Sequence, residues 1–585
     1  GGHVCADLPR LVREGLLVEA AEGARSVPAL QAHPDLDRWL EALRASALVS
    51  IAGSDNEATA RPLVLDEDGR LYLQRAFRHQ AALARRLCAR VGRADLELDQ
   101  QAAEVSIARL VPGDDPDDEW PREALRVALA RPLSIVTGGP GTGKTTMVAR
   151  LCGLLHEQAR SADRPAPRVR LLAPTGKAAA AMAASFARLR EAQAMAPEIR
   201  EALPSQAETI QRALHRKTRL DALGRPRPVR IEADLVVVDE ASMVDLAWMD
   251  RLFEACESVP RLVLLGDPDQ LASVRAGAVL AELCALAEPG PAVSDERREG
   301  STEGQLERRE GSTEGQLARS VVRLRRSHRF AGGGGIGRLA EAIRRGDADE
   351  ALALLSDPSV AEVSRVSEVS GEQVEEALLE ASGGLSAAIE AAADPESKLD
   401  RANGYRVLCA HRRGPLGAER LAARLDESLA RAHRTTARAG WFAGQLLLVT
   451  RNAPDQDLWN GDVGLVGESD RGLRAFFADG RGGVRALSSG RLPAHESAIA
   501  MTVHKSQGSE FDRVDLVLGE HDSRLMTREL LYTGVTRARA SLRIHASEDL
   551  LRAMISRRIE RDSGLAARIR SDAPDASTPS RGGRA

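Results

Sequence analysis

Residues 138–145 read Gly-Gly-Pro-Gly-Thr-Gly-Lys-Thr, and no other stretch of the chain narrows the fold as much. The string fits the spacing G-x-x-x-x-G-K-[ST]. A continuous apolar run (133–137) precedes it and a helical pattern, TTMVARLCGLL, follows. That spacing serves a strand-to-helix turn, where glycines let backbone N–H groups face an anion at a helix N-terminus. Lys144 then reaches β/γ-phosphates, and Thr145 offers a hydroxyl to Mg²⁺. The bland alternative is a Gly-rich turn without chemistry. Only five of the 81 basic residues are lysine, so a lysine falling in this frame by chance is rare.

The surrounding pattern agrees. Residues 133–137, 169–173, 234–238 and 261–265 are continuous Leu and β-branched runs alternating with helical segments, as in a parallel sheet covered on both faces. A second set, 405–410, 498–503 and 514–518, predicts a second α/β unit. Between its members, residues 441–492 carry short alternating runs separated by Gly and Asp turns, which predicts a small inserted β-barrel. Trp441, Phe442, Trp459, Phe476 and Phe477 lie there, five of sixteen aromatics, and a barrel core is their simplest use. Upstream, RPLVLD-EDG-RLYLQR predicts a hairpin, and the acidic run 112–121 reads as a linker. ERREGSTEGQL occurs at 296–306 and again at 307–317; its composition predicts a solvated loop. The end of the chain, after 571, reads as disordered.

Composition sets the outer limits. A chain of 585 residues has room for about three to five domains of roughly 100–200 residues. No apolar run approaches the ~20 residues of a membrane span, and no leader pattern opens the chain, so the cytoplasm is the expected compartment. Six cysteines form no CxxC pair, which argues against a zinc ribbon or a disulfide framework. The net charge of −4 excludes a basic nucleic-acid tail but not a local basic groove. The opening Gly1-Gly2-His3 lacks an initiator methionine and suggests a fragment.

Further strings supply chemistry at predicted strand ends. VVVDEAS places Asp239 and Glu240 after an apolar strand, suited to Mg²⁺ ligation by one carboxylate and water activation by the other. Gln270, in LLGDPDQLASV, is placed to sense a γ-phosphate. Arg329 in RRSHRF and Arg537 in VTRAR are candidates to clamp transition-state charge.

In order, GGPGTGKT, LLAPTGKAA (171–179), VVVDEAS, GDPDQLASV, LRRSHRF (324–330), TVHKSQGSEFD (502–512) and LLYTGVTRAR resemble the helicase motifs of superfamily 1. Their details are most similar to the RecD family, the alpha subunits of exodeoxyribonuclease V, and the likeness runs through nearly the whole chain. The resemblance implies two RecA-like motor domains with ATP and Mg²⁺ between them. Gly138, Gly139, Pro140, Gly141, Thr142, Gly143, Lys144, Thr145 and Thr146 would cradle the nucleotide, with Glu510 near the ribose. Thr145 and Asp239 would hold the metal, and Glu240, Gln270, Arg329 and Arg537 would act on the phosphates. Thr175, Lys177, His215, Thr502 and His504 would touch single-stranded DNA. The domain expectation is 1–113 for an N-terminal α/β docking domain and 114–323 for the first motor. The second motor takes 324–440 and 493–570, 441–492 forms an SH3-like barrel, and 571–585 is a tail.

The implied activity is 5′-to-3′ DNA helicase movement within a complex with RecB-like and RecC-like subunits, in double-strand-break repair. A stand-alone RecD-like helicase and a nucleotide-regulated assembly subunit are the alternatives. Two departures stand out. Pro121 occupies the position where the family carries an adenine-reading glutamine, which implies a looser choice of base. His328 replaces a tyrosine, with little effect expected because it too is planar and polar.

Overall fold

The structure, a computed structural model, describes residues 2–14, 35–53, 61–113, 116–191, 197–215, 229–287, 312–329, 333–366, 371–432, 441–470, 472–479, 483–519 and 522–571. The N-terminal sheet comprises β1 (Cys5–Asp7), β2 (Val49–Ile51), β3 (Leu63–Leu65) and β4 (Arg70–Leu73), in the order β1-β4-β3-β2. The expected hairpin is there: β3 and β4 run antiparallel with Val64 opposite Tyr72. Its turn is closed by Asp66, whose carboxylate accepts from Arg70 N at 2.8 Å. The helix Gln74–Val91 then leaves this sheet and packs on the helix Leu246–Ala255. Arg90, 2% exposed, donates to the carbonyls of Pro132, Cys256 and Val259 at 3.0, 2.8 and 2.7 Å. Three charge-assisted bonds to backbone carbonyls, two of which (Pro132 O and Cys256 O) also accept from a backbone N–H, offset the cost of burying that guanidinium.

The run 112–121 is less of a linker than its composition suggests. A 3₁₀ turn, Pro116–Asp118, leads straight into the helix Glu119–Ala130. Pro121 is tolerated as its third residue because the first N–H groups of a helix have no partner inside it.

The first large sheet is wholly parallel. Its strands are β5 (Leu133–Thr137), β6 (Val169–Ala173), β7 (Ala207–Thr209), β8 (Leu235–Val238), β9 (Arg261–Gly266) and β10 (Val321–Arg323), ordered β10-β5-β9-β8-β6-β7. Along β8, Val236 and Val238 enter one core while Leu235 and Val237 enter the other. Both faces are covered, which is why the run is continuously apolar.

Part of the tandem repeat is structured. Residues 296–311 lie outside the described residues. Ser312, from the second copy, caps the helix Thr313–Ala318 by accepting from Gly315 N. Leu317 is fully buried, so this segment is not the solvated loop expected. The contrast arises because the helix packs on the helices Val279–Ala287, Gln74–Val91 and Leu565–Ser571, where its one leucine is buried.

The second parallel sheet is interrupted. It begins with β11 (Val363–Val366) and β12 (Tyr405–Cys409). The chain then forms an antiparallel sheet of β13 (Leu446–Val449), β14 (Val463–Gly467), β15 (Arg474–Ala478), β16 (Val484–Leu487) and β17 (His495–Ser497). It returns to add β18 (Ala500–Thr502), β19 (Phe511–Val517) and β20 (Ala538–His545), giving the order β11-β20-β19-β12-β18. The inserted sheet is ordered β16-β15-β14-β13-β17 and runs past residue 492, because β17 pairs with β13. Trp441 and Phe477 fill its core, and Phe442 and Phe476 are buried; Trp459 instead lies against Gly176, which follows β6 of the first large sheet.

The chain's end departs from the expected division. After the helix Glu548–Ser556, the segment returns to the N-terminal region, where Val4 N donates to Asp562 O at 2.8 Å. The helix Leu565–Ser571 then packs on Gln74–Val91, with Leu565 and Ile569 fully buried beside Leu83 and Leu87. Residues to 570 are therefore not all part of the second α/β unit. The tail after Ser571 lies outside the described residues. No helix of the described residues is long and apolar enough to cross a membrane.

Candidate nucleotide site

β5 ends at Thr137, and the helix Lys144–Ser161 starts after six intervening residues. Two left-handed glycines, Gly141 (φ +76°) and Gly143 (φ +85°), turn the chain between them. A β-carbon on Gly141 would come within 2.5 Å of Arg329 Cβ, and one on Gly138 within 2.6 Å of Thr142 Oγ1. Side chains there would fill the space the backbone N–H groups need. Lys144 Nζ donates to the Gly138 and Gly139 carbonyls at 2.6 and 2.9 Å, and Thr142 Oγ1 donates to Gly139 O at 2.9 Å. The loop is braced from the segment leading to the second sheet: Ser327 Oγ donates to Pro140 O at 2.9 Å and His328 N to Gly141 O at 2.9 Å.

Asp239 and Glu240 follow β8. Glu240 has φ +51°, a left-handed conformation that an ordinary residue adopts at some cost. Enclosure by protein raises both carboxyls above their ordinary range. For Asp239, Lys144 opposes the rise. For Glu240, Asp239 adds to it, while Arg537 and Lys144 oppose it. Gln270, 7% exposed, follows β9 and donates to Asp267 Oδ2 at 3.1 Å.

The second sheet contributes across the cleft. Arg329 pairs with Glu510, which also accepts from Arg539 at 3.2 Å. These cations hold the Glu510 carboxyl below its usual range despite burial. Arg537 is 3% exposed and bonds to Thr533 O (3.1 Å), Ser509 O (3.1 Å) and Thr536 Oγ1 (3.3 Å). A cavity of about 610 Å³ joins these groups, and residues 140–146, Asp239, Glu240, Gln270, Arg329, Glu510 and Arg537 all line it. Asp267, His328 and Arg539 line it as well, though sequence reasoning gave none of them a phosphate role. Each lay inside or beside a motif string, and that adjacency was the available signal.

The residues present suit a nucleotide and a hard cation. The glycine cradle is open, Lys144 and two arginines converge, and Thr145 with the Asp239 carboxylate offers oxygen ligands of the kind Mg²⁺ takes beside phosphates. Pro121, at the third position of its helix, offers no side-chain donor or acceptor. Its neighbour Trp120 carries the Arg325 guanidinium 4.1 Å above its ring.

The five candidate DNA contacts fare differently from the phosphate set. Thr175 Oγ1 accepts from Ala178 N at 3.1 Å at the start of the helix Gly176–Glu191. Lys177 Nζ donates to Ser509 Oγ at 2.5 Å, which joins this helix start to the second sheet; burial and the nearby Arg406 and Arg537 lower its pKa to about 8. His215 packs edge-on to Trp248 at 5.6 Å. Thr502 accepts weakly from Lys505 N at 3.4 Å, and the half-buried His504 is held below its ordinary pKa by desolvation and by Arg561. Thr175 and Lys177 thus flank the start of one helix and Thr502 and His504 share one turn, whereas His215 stands on Trp248.

Residues 1–72 match the family model for the N-terminal domain of RecBCD enzyme subunit RecD, residues 121–321 an AAA domain, and residues 497–545 a UvrD-like helicase C-terminal domain. RecBCD enzyme subunit RecD of Mycolicibacterium smegmatis is 39% identical over 97% of this chain and 91% of its own length. The chain belongs to the RecD family. RecD of Mycobacterium tuberculosis is 38% identical over 97% of this chain and 89% of its own. The ATP-dependent RecD2 DNA helicase of Deinococcus radiodurans is 28% identical over 75% of this chain and 50% of its own. Among solved structures, Bacteroides Pif1 bound to single-stranded DNA is similar with a TM-score of 0.39 and 16% identity, over 75% of this chain and 94% of that one. The RecD assignment agrees with the two parallel α/β units that meet at the cavity.

Proposed function

We propose that this chain is an ATP-dependent DNA helicase subunit that moves 5′ to 3′ on single-stranded DNA in a RecBCD-type complex with RecB-like and RecC-like partners. The setting is cytoplasmic processing of double-strand breaks for recombination. One observation carries the reading: Lys144, Glu240 and Gln270 of the first unit share a single cavity with Arg329 and Arg537 of the second. A site assembled from two bodies can convert phosphate chemistry into relative movement.

The division of labour proposed assigns each group of the cavity one part. Lys144 neutralises β/γ-phosphate charge. Thr145 and Asp239 would hold Mg²⁺, which supplies charge neutralisation when bound. Glu240, its carboxyl raised toward working pH, accepts the proton of the attacking water. Gln270 orients that water or the γ-phosphate, and Arg329 and Arg537 stabilise charge as it develops. Glu510, held by Arg329 and Arg539, faces the same cavity and is proposed to meet the ribose. Thr175, Lys177, His215, Thr502 and His504 are proposed to meet DNA once the units shift. The domains proposed are an N-terminal docking domain through 113, a first motor to 323, a second motor from 324 resumed after the inserted sheet, and an SH3-like insertion.

The test is ATP hydrolysis by the purified chain with and without single-stranded DNA, with Lys144→Gln as the blank. DNA-stimulated turnover that vanishes in the variant supports the motor. Lys144-dependent turnover indifferent to DNA would replace it with an assembly switch.

A further inference from the structure

Gln270 does not stand alone in the first unit. Its side-chain amide donates to Asp267 Oδ2 at 3.1 Å, and the same oxygen accepts from the Tyr532 hydroxyl, also at 3.1 Å. Tyr532 belongs to the helix Arg528–Val535 of the second unit. The other carboxylate oxygen, Oδ1, accepts from Asp269 N at 3.1 Å. Asp267 and Tyr532 are buried at 2% and 5% exposure, so this hydrogen bond is made away from water, where losing it is costly.

The next residue is gripped as well. Leu271 N donates to Thr533 Oγ1 at 2.9 Å, and Leu271 O accepts from Gln507 Nε2 at 2.7 Å. The Leu271 side chain, 3% exposed, sits in the hydrophobic core of the second unit, although it lies in the loop that follows β9 of the first. Tyr532 also reaches the phosphate loop: a β-carbon on Gly139 would stand 3.0 Å from its hydroxyl oxygen.

We infer that Tyr532 is a positioning residue for ATP hydrolysis, acting through Asp267 to set the Gln270 side chain according to where the second motor lies. This deepens the motor reading above and rests on it. The competing account is a tyrosine that merely fills a buried interface. The two differ in what removal of one oxygen does. Tyr532→Phe keeps the ring and its packing while freeing Asp267 Oδ2 from one of its two donors.

The experiment is steady-state ATP hydrolysis by the full chain with and without single-stranded DNA, comparing the parent with Tyr532→Phe, Gln270→Ala and the double variant. Binding of a fluorescent ADP analogue reports that each variant is folded. The expected result is a kcat lower by about 10–100-fold in Tyr532→Phe, the scale of a small misplacement of a reacting group, with KM for ATP within about twofold. The double variant should be no worse than Gln270→Ala alone, because the tyrosine works through the glutamine. Unchanged kcat in Tyr532→Phe would overturn the inference, and so would losses that multiply in the double variant. Parent turnover without DNA stimulation, with the Tyr532→Phe loss intact, would sink the motor reading while sparing this one. A parent chain without turnover would sink both.

Discussion

The Trp459 side chain lies across the backbone of Gly176: a β-carbon added to that glycine would meet Trp459 Cβ at 2.5 Å and Cγ at 2.6 Å. Trp459 opens the turn that Asp462 closes by accepting from Trp459 N at 2.7 Å, between β13 and β14 of the inserted sheet. Gly176 begins the helix that carries Lys177 in its first turn, directly after Thr175. The inserted sheet, whose Leu446, Leu448 and Leu465 pack into the second unit's core, therefore touches the first unit where DNA contact is proposed.

Gly176→Ala should consequently destabilise the chain by about 1–3 kcal/mol, the usual cost of overpacking a close contact. Urea denaturation measures it. Combining the change with Trp459→Gly, which removes the clashing β-carbon as well as the ring, should recover most of the steric part of the loss. A Gly176→Ala chain as stable as the parent would mean that the turn yields freely.

Glu240→Gln should lower kcat by about 10²–10⁴-fold, the range for removing a general base, while nucleotide binding persists. The pH dependence has a definite sign. The base acts only when deprotonated, and enclosure together with Asp239 and Glu510 raises its carboxyl while Arg537 and Lys144 oppose. Activity should thus fall with falling pH at a value above the ordinary glutamate range, and kcat against pH should lose that limb in Glu240→Gln.

Arg537→Lys should cost about 10²–10³-fold in kcat, comparable with losing one preorganised donor at developing charge. Lysine keeps the charge but cannot make the three hydrogen bonds by which the guanidinium holds Thr533 O, Ser509 O and Thr536 Oγ1. Steady-state ATP hydrolysis checks this, and a kcat near the parent's would show that charge alone suffices.

Ile569→Ala tests the C-terminal return. This side chain is fully buried among residues of the N-terminal region, so its truncation should cost about 2–5 kcal/mol. Chemical denaturation followed by tryptophan fluorescence reads the loss, and an unchanged midpoint would show the last helix to be dispensable.

Much of the site was legible because its chemistry is local. The glycines, lysine and threonine of residues 138–145 act within one strand-to-helix turn, and each carboxylate or amide candidate sits at the end of an apolar run that declares a strand. The inserted sheet was legible from period-two alternation, but its last strand was not: His495–Ser497 is three residues long and is defined by pairing with β13. The helix at Thr313–Ala318 was missed because six residues of charged and glycine-rich composition carry no periodicity; one buried leucine holds them. Trp459 was read as core by its company, whereas its turn directs it at a glycine nearly three hundred residues earlier.

By itself, the sequence determined that this chain builds two parallel α/β units around a phosphate loop, since continuous apolar strands and the glycine spacing admit few other uses. The tertiary structure alone decided which side chains share the cleft and which are tied elsewhere. Arg329 and Arg537 face Glu240, Lys177 is taken by Ser509, and Tyr532 holds Asp267 from the opposite unit. The physical reason is range. A motif records what a few neighbouring residues can do for one another, while a hydrogen bond between residues 265 apart exists only once both units have folded and met.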